Sequence, residues 1–331
     1  MTLLLSRSDI SGLMGPADYL AAVETGFRAA EEGKASSPAP MALAGEGGTF
    51  HAKGASLGLE RLRVALKLNG NFPDNEAGLP TIQGAILLCD GGNGALLAVM
   101  DSIEVTLRRT AAASALAARF LARPDSRSVL VCGCGMQALA QLEALAQLLP
   151  LRRCFAWDRD FERSKALARA ALGLGMAAEP VADLDSVAPA SDVIVTCTTA
   201  REPFLGPGQV GPGCFIAAVG ADSPEKSEIH PELMGKSRIV VDRLEQCLDM
   251  GDLRHAVRAG TVRPDQVHAS LGALVTGAAE GRTRDDEIFV FDSTGTALQD
   301  VAAASAIYDR ACRRSGFEAF AFASDCHRDR H

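Results

Sequence analysis

The sequence predicts a two-domain α/β protein in which one domain is a doubly wound parallel sheet that binds a dinucleotide. Three observations carry that expectation. The apolar run Ser128-Val129-Leu130-Val131-Cys132 stops at Gly133-Cys134-Gly135-Met136-Gln137-Ala138, and an alanine- and leucine-rich helical stretch follows. The next apolar run, Cys154-Phe155-Ala156-Trp157, is tipped by Asp158. From about residue 126 to 295, strand-like and helix-like segments alternate, as a parallel sheet requires.

Each position of the glycine loop has a physical role. Gly133 permits the tight turn, Gly135 lets a pyrophosphate approach the backbone, and Ala138 is small enough for helix and strand to pack. Met136 and Gln137 open the helix, whose unpaired N–H groups and dipole favour an anion. Asp158 is placed to accept hydrogen bonds from a ribose 2′-hydroxyl, which favours NAD over NADP because a carboxylate repels a 2′-phosphate. Arg159 follows directly and would pair with that phosphate if Asp158 turned away.

In order along the chain, Pro16 at the start and Gly33 after the end predict a helix over 16–32. Strand-like segments follow near 48–53, 62–69, 81–89 and 94–101, the last two joined by the turn Asp90-Gly91-Gly92-Asn93-Gly94. Ser102–Ala122 reads as a long alanine-rich helix joining a mixed α/β first part to the parallel-sheet part. Within the latter, strands are expected at 128–132, 153–157, 192–197, 214–219, 238–242 and 287–292. Helices are expected at 136–149, 160–172 and 249–259, with a short one over Asp183–Ala188. Gly295–Arg314 is again helical and is expected to fold back onto the first domain.

The chain has 331 residues, 47% of them hydrophobic, enough for two cores. A net charge of −8 without a basic stripe argues against a nucleic-acid partner. No apolar run approaches the roughly 20 residues of a membrane helix, and the apolar stretch at Met1–Arg7 is too short for a secretory signal. Nine cysteines lie scattered, several in apolar strands, without a Cys-x-x-Cys pair, which fits a reducing cytoplasm. The histidines show no metal-ligand spacing, and residues 326–331 read as a frayed polar tail.

Several residues are candidates for chemistry. Lys67 lies in the strand Val64-Ala65-Leu66-Lys67-Leu68-Asn69; alternation puts it opposite Leu66 and Leu68, so it faces either solvent or a site, and the pattern favours solvent. Arg108 and Arg109 interrupt an apolar helix, and one of them is free to act as a bidentate carboxylate clamp in an interdomain crevice. Asp222, Thr198 and Thr199 follow the carboxyl ends of strands, where open parallel sheets bind ligands; the alternatives are a helix N-cap or turn aspartate for Asp222 and turn chemistry for the two threonines. His51 and Lys53 share a strand face and either meet solvent or add positive charge for a polar substrate.

Taken together, the chain resembles the ornithine cyclodeaminase/μ-crystallin family over nearly its whole length. The matching segments are Lys67 with Asn69-Gly70-Asn71-Phe72-Pro73, Gly78-Leu79-Pro80-Thr81, Met100-Asp101-Ser102-Ile103 with Leu107–Ala112, the Gly133–Ala138 loop, Val219–Glu228 and Phe291–Gly295. The resemblance implies a homodimer whose substrate and dimerisation domain (1–115 plus 300–325) surrounds an inserted Rossmann domain (116–299). It further implies that Lys67 and Arg109 contact a substrate carboxylate and that Asp222 is the catalytic or amine-binding acid. Val219 and the turn Ser293-Thr294-Gly295 would lie against the cofactor. One departure stands out: Met41 falls where ornithine-cyclising members carry an arginine. That lost cation weakens a cyclodeaminase reading, and His51 and Lys53 would compensate for a differently shaped or doubly acidic substrate. The expected activity is NAD(H)-dependent reduction of an α-imino acid, iminosuccinate or another ketimine, to an L-amino acid. The alternatives are an ornithine cyclodeaminase-type ammonia lyase with catalytic NAD, and a non-catalytic μ-crystallin-like protein that binds a small ligand.

Overall fold

The computed structural model describes residues 1–75 and 78–322, so the tail at 326–331 lies outside the described residues. The chain divides into two compact units, Met1–Arg109 with the residues from Ala297 onward, and Thr110–Thr296.

The first unit is built on a mixed sheet. Its strands are β1 (Thr2–Leu5), β2 (Ala35–Ser36), β3 (Met41–Gly45), β4 (Gly48–Gly58), β5 (Leu62–Asn71), β6 (Ile82–Asp90), β7 (Leu96–Asp101) and a last strand, Glu318–Phe320. The order runs last strand-β1-β7-β6-β5-β4-β2, with β3 on β4, and every pairing except β1 with β7 is antiparallel. Long strands from 48 to 101 follow from their alternating side chains and from the Asp90–Gly94 turn, where Asp90 caps Gly92 and Gly94 takes a left-handed φ of 77°. Two helices precede β2, α1 (Arg7–Ser11), capped by Ser6, and α2 (Pro16–Glu31). The C-terminal helix, Ala297–Ala311, packs on α2, β4 and β5, as expected for a segment folding back.

The alternation on β5 resolves against the simplest expectation. Ala65 and Lys67 are buried, whereas Leu62, Val64, Leu66 and Leu68 are exposed. The register extends both faces across the sheet. Lys67 pairs with Lys53 and with Ile86, which pairs with Met100; Leu66 pairs with Leu87, and Leu68 with Ala52. The inner face is therefore the one carrying Lys67, and it is covered by the C-terminal helix.

Helix α3 (Ser102–Leu121) carries the chain from the first unit into the second, with Ala111–Ala113, Ala115, Ala117 and Ala118 all buried. The second unit holds an all-parallel sheet of eight strands. These are β8 (Ser128–Cys132), β9 (Arg153–Trp157), β10 (Ala177–Val181), β11 (Val193–Thr196), β12 (Phe215–Ala218), β13 (Arg238–Val241), β14 (Ala269–Ser270) and β15 (Phe289–Asp292). Their order is β10-β9-β8-β11-β12-β15-β13-β14. The central strands are buried at every position and apolar except for Ser128, Thr196 and Asp292 at their ends, as a sheet covered on both faces demands. Helices α4 (Met136–Leu145) and α5 (Phe161–Gly173) connect β8 to β9 and β9 to β10. Further on come α6 (Pro231–Lys236), α7 (Leu244–Asp249), α8 (Asp252–Arg258) and α9 (Leu271–Thr276).

Three expected helices differ. The segment 183–188 is a turn, because the Asp183 carboxylate accepts from the Asp185 N–H, and only Ala188–Ala190 forms a 3₁₀ turn. The helix over 136–149 stops at Leu145, ahead of Pro150. The helix over 249–259 is broken at Gly251, whose φ of 88° separates α7 from α8.

Candidate functional site

In the second unit the glycine loop leaves β8 and enters α4. Gly133 has a φ of 95°, and a Cβ there would lie 2.8 Å from the Cys197 carbonyl oxygen, so both conformation and space demand glycine. At Gly135 the opposite holds: a Cβ would meet nothing within 4 Å, because this backbone borders open space. Gly135 is also the N-cap of α4 and offers no side chain to the first-turn N–H groups. That leaves those donors for an anion. Ala138 is buried, as helix–strand packing requires.

The space is a cavity of about 550 Å³ lined by Gly133, Gly135, Trp157, Asp158, Arg159, Thr198 and Thr199, among others. Asp158, at the tip of β9, is held in place. Its Oδ2 accepts from the Cys134 N–H at 2.7 Å and its Oδ1 from the Asp160 N–H at 2.9 Å. It has not turned away, so a 2′-phosphate here would meet a fixed carboxylate. Sequence reasoning missed the aromatic side of the cavity, where Trp157 and Phe204 face each other with ring centroids 5.1 Å apart. It also missed Arg163 and Arg201, which join Arg159 on the lining. An open glycine, bare helix N–H groups, a fixed carboxylate and an aromatic pair fit a dinucleotide.

The other residues expected at the cofactor are not among those lining the cavity. Met136 is exposed and Gln137 half-buried with a buried, unpartnered Oε1; neither lines the cavity. Val219 is half-buried after β12. Ser293, Thr294 and Gly295 are buried and tied inward: Asp242 accepts from the Gly295 N–H at 2.7 Å and from the Thr294 hydroxyl at 3.1 Å, while Gln246 donates to Thr294. Asp222 is exposed and forms an i,i+4 ion pair of 2.6 Å with Lys226. Glu228, which closes the matching segment Val219–Glu228 but was not singled out as a candidate, ties the strand ends beneath the cavity. It accepts from Thr196 Oγ1, Thr198 N and Oγ1, and Gly220 N at 2.6–2.9 Å. Burial, reinforced by Asp252, pushes its carboxyl up to about 7.

The first unit carries a second cluster. The pattern-based expectation of a solvated Lys67 is wrong, because the buried face of β5 is the one with the small Ala65 rather than the one with the leucines. Lys67 is 4% exposed, and its Nζ lies 2.6 Å from Asp300 Oδ2 and 3.3 Å from Thr106 Oγ1. Arg109 is equally buried; its Nε donates to Asp300 Oδ1 at 2.9 Å and its Nη1 to Gln299 Oε1 at 2.7 Å. Arg108 takes the outer role and pairs with Glu104 one turn back. Burial, opposed by Asp300 and reinforced by Arg109 and Lys53, brings the Lys67 amine down to about 7. Lys53 is half-buried and directly opposite Lys67, while His51, two residues along the same face, is exposed. Met41 pairs with Ala52, which pairs with Leu68, so it lies on the face opposite Lys67. Asp300, the anion common to both cations, was absent from the sequence-based candidates.

Fold and loop define a dinucleotide-binding α/β protein whose first unit buries two cations on one carboxylate. The chain belongs to the ornithine cyclodeaminase/mu-crystallin family, whose sequence profile matches residues 1–315. It is 37% identical over 320 residues to an alanine dehydrogenase of Archaeoglobus fulgidus, covering 95% of this chain and 96% of the relative. Among solved structures, it is similar to an archaeal alanine dehydrogenase dimer with bound NAD, with a TM-score of 0.93 and 35% identity, covering 97% of this chain and 99% of that one. It is also similar to the iminosuccinate reductase of Paracoccus denitrificans in complex with NAD⁺, with a TM-score of 0.87 and 32% identity over 94% and 97% of the two chains. Among the described residues, no helix is long and apolar enough to cross a membrane.

Proposed function

We propose that the protein is an NAD(H)-dependent oxidoreductase that reduces an α-imino acid to an L-amino acid, reversibly. The observation that carries this reading is the buried pair Lys67 and Arg109, two cations fixed side by side in a chain that also carries a dinucleotide cradle. Relatives that act on alanine and on iminosuccinate support it. The fixed Asp158 and NAD-bound relatives support NAD as the cofactor.

Held by the Gly133 and Gly135 backbone and by Asp158, NAD(H) would supply the hydride, or accept it in the reverse direction. Arg109 and Lys67 hold the substrate α-carboxylate and so orient the imine carbon, an arrangement that contributes several kcal/mol, on the order of 5, towards the barrier. With a pKa of about 7, the Lys67 amine exchanges a proton at neutral pH. Asp222 binds the iminium or ammonium nitrogen, or relays its proton. A dicarboxylic imine such as iminosuccinate would place its distal carboxylate near Lys53 and His51, which share the Lys67 face. The exposed leucines on the other face of that sheet are the contact for a second copy of the chain, giving a homodimer. The eight described cysteines are free thiols, as those of a cytoplasmic enzyme would be.

The test follows NADH absorbance with oxaloacetate, pyruvate, glyoxylate or cyclic ketimines, each with and without ammonium. Oxidation of NADH that depends on ammonium or on a preformed imine, and that is lost in Lys67→Ala, is the expected result. Ammonia release from ornithine without net change in NADH would replace this reading with the cyclodeaminase. Ligand binding without turnover across the panel would leave a binding protein.

A further inference from the structure

The anion between the two proposed substrate contacts has no role in that scheme. We propose that Asp300 is the positioning residue of the site: its carboxylate fixes the Lys67 amine and the Arg109 guanidinium side by side and sets the fraction of Lys67 that is protonated. The inference rests on the reading of Lys67 and Arg109 as substrate contacts.

Three elements meet at this carboxylate, β5 through Lys67, α3 through Arg109 and the C-terminal helix through Asp300 itself. The two oxygens are divided, Oδ2 to the amine at 2.6 Å and Oδ1 to the guanidinium at 2.9 Å. One anion thereby fixes the separation and orientation of both cations. Asp300 is 1% exposed, so no solvent competes for either oxygen. Its neighbour Gln299 accepts from Arg109 Nη1 at 2.7 Å, so consecutive residues of one helical turn grip one guanidinium. The same turn lies at the start of its helix, where the dipole favours a carboxylate.

The electrostatics require such a group. Lys67 faces Arg109 from α3 and Lys53 from β4, and both like charges oppose its protonation, as does burial. Thr106 contributes only a neutral hydroxyl. Asp300 is the group that favours the ammonium form. Burial alone would raise the Asp300 carboxyl, but Arg109 and Lys67 outweigh it and hold it below the ordinary carboxylate range, so it stays ionised throughout the neutral region. Without that charge, three cations would share one face and Lys67 would hold its proton less tightly.

The experiment removes the charge while keeping the shape. Lys67 titration is read in the full-length protein, without substrate, from the pH dependence of its acetylation by acetic anhydride, followed by peptide mass spectrometry. In Asp300→Asn the Lys67 midpoint is expected to fall by at least about one pH unit, a tenfold change in the ratio of protonated to neutral amine. The acid limb of the kcat/KM profile should move by the same amount, with kcat reduced about 10–100-fold. Asp300→Glu should return the midpoint towards that of the wild type and recover part of kcat. If the Asn variant fails to fold, Asp300→Ser carries the same expectation. A folded charge-removed variant whose Lys67 midpoint is unchanged overturns the proposal, whatever happens to activity. A shifted midpoint in a protein that turns over no imine would leave the positioning role standing and remove the proposed function instead.

Discussion

Lys67 is the residue at which charge, burial and pH meet, and its linkage has a definite sign. The native amine titrates at about 7, and the unfolded one near 10.5. Below pH 7 both states carry the proton, and the native state bears the full cost of the buried ammonium. Between 7 and 10.5 the unfolded chain binds more protons, so stability from this group rises with pH, by at most about 1.4 kcal/mol per unit. Lys67→Met removes that rise. Urea unfolding at steps from pH 7 to 9 should show the wild type gaining about 2 kcal/mol relative to the variant. A constant difference across that range would mean that the amine titrates normally. Lys67 is also where sequence reading failed instructively. Alternation correctly put it opposite Leu66 and Leu68, but apolar side chains were taken to mark the inside, and here they mark the exposed face. Asp300 was illegible for another reason. Nothing within Ala297-Leu298-Gln299-Asp300-Val301 signals that its carboxylate neutralises cations at 67 and 109, since that pairing exists only after the C-terminal helix returns to the first sheet.

The glycine loop was legible because its constraints are local. Strand, turn, helix and the next strand's carboxylate are consecutive in sequence, and each leaves a compositional mark. The two glycines nevertheless serve separable purposes. Gly133→Ala places a Cβ against the Cys197 backbone at 2.8 Å in a left-handed conformation, so a stability loss of about 1–3 kcal/mol is expected. Gly135 has an ordinary φ of −81° and an empty surrounding. Gly135→Ala should melt like the wild type while binding NADH at least about tenfold more weakly, because the methyl intrudes only on the bound pyrophosphate. Thermal denaturation and NADH fluorescence titration on both variants check the contrast; equal effects on both readouts would mean that the loop is not the phosphate contact. The aromatic pair Trp157 and Phe204 lay beyond such reading, because Phe204 reaches the cavity from the segment after β11, 47 residues away in sequence.

At the scale of the whole molecule, the exposed face of the first sheet is the feature the isolated chain leaves unexplained. Leu62, Val64, Leu66 and Leu68 share one face of β5, Leu66 pairs with Leu87 on β6, and Phe50 with its partner Leu43 on β3 continues the same face. Leu66 is 48% and Leu87 38% exposed. Contiguous apolar patches of this kind mark interaction surfaces, and a homodimer that closes two such faces together satisfies the pattern with one self-complementary contact. The opposite face of β5 carries the buried Lys67, so the same strand would serve the site with one set of side chains and assembly with the other. Leu66→Asp with Leu87→Asp should therefore leave the fold intact, since neither side chain is part of the chain's own core. Each leucine withdrawn from an interface costs about 1.5–3 kcal/mol, so the double variant should weaken dimerisation by at least about 100-fold. Sedimentation velocity over a concentration series reads the outcome: a dimeric wild type and a monomeric variant with the same melting profile are expected. A monomeric wild type, or a variant that stays fully dimeric, would show that this face meets something other than its own copy.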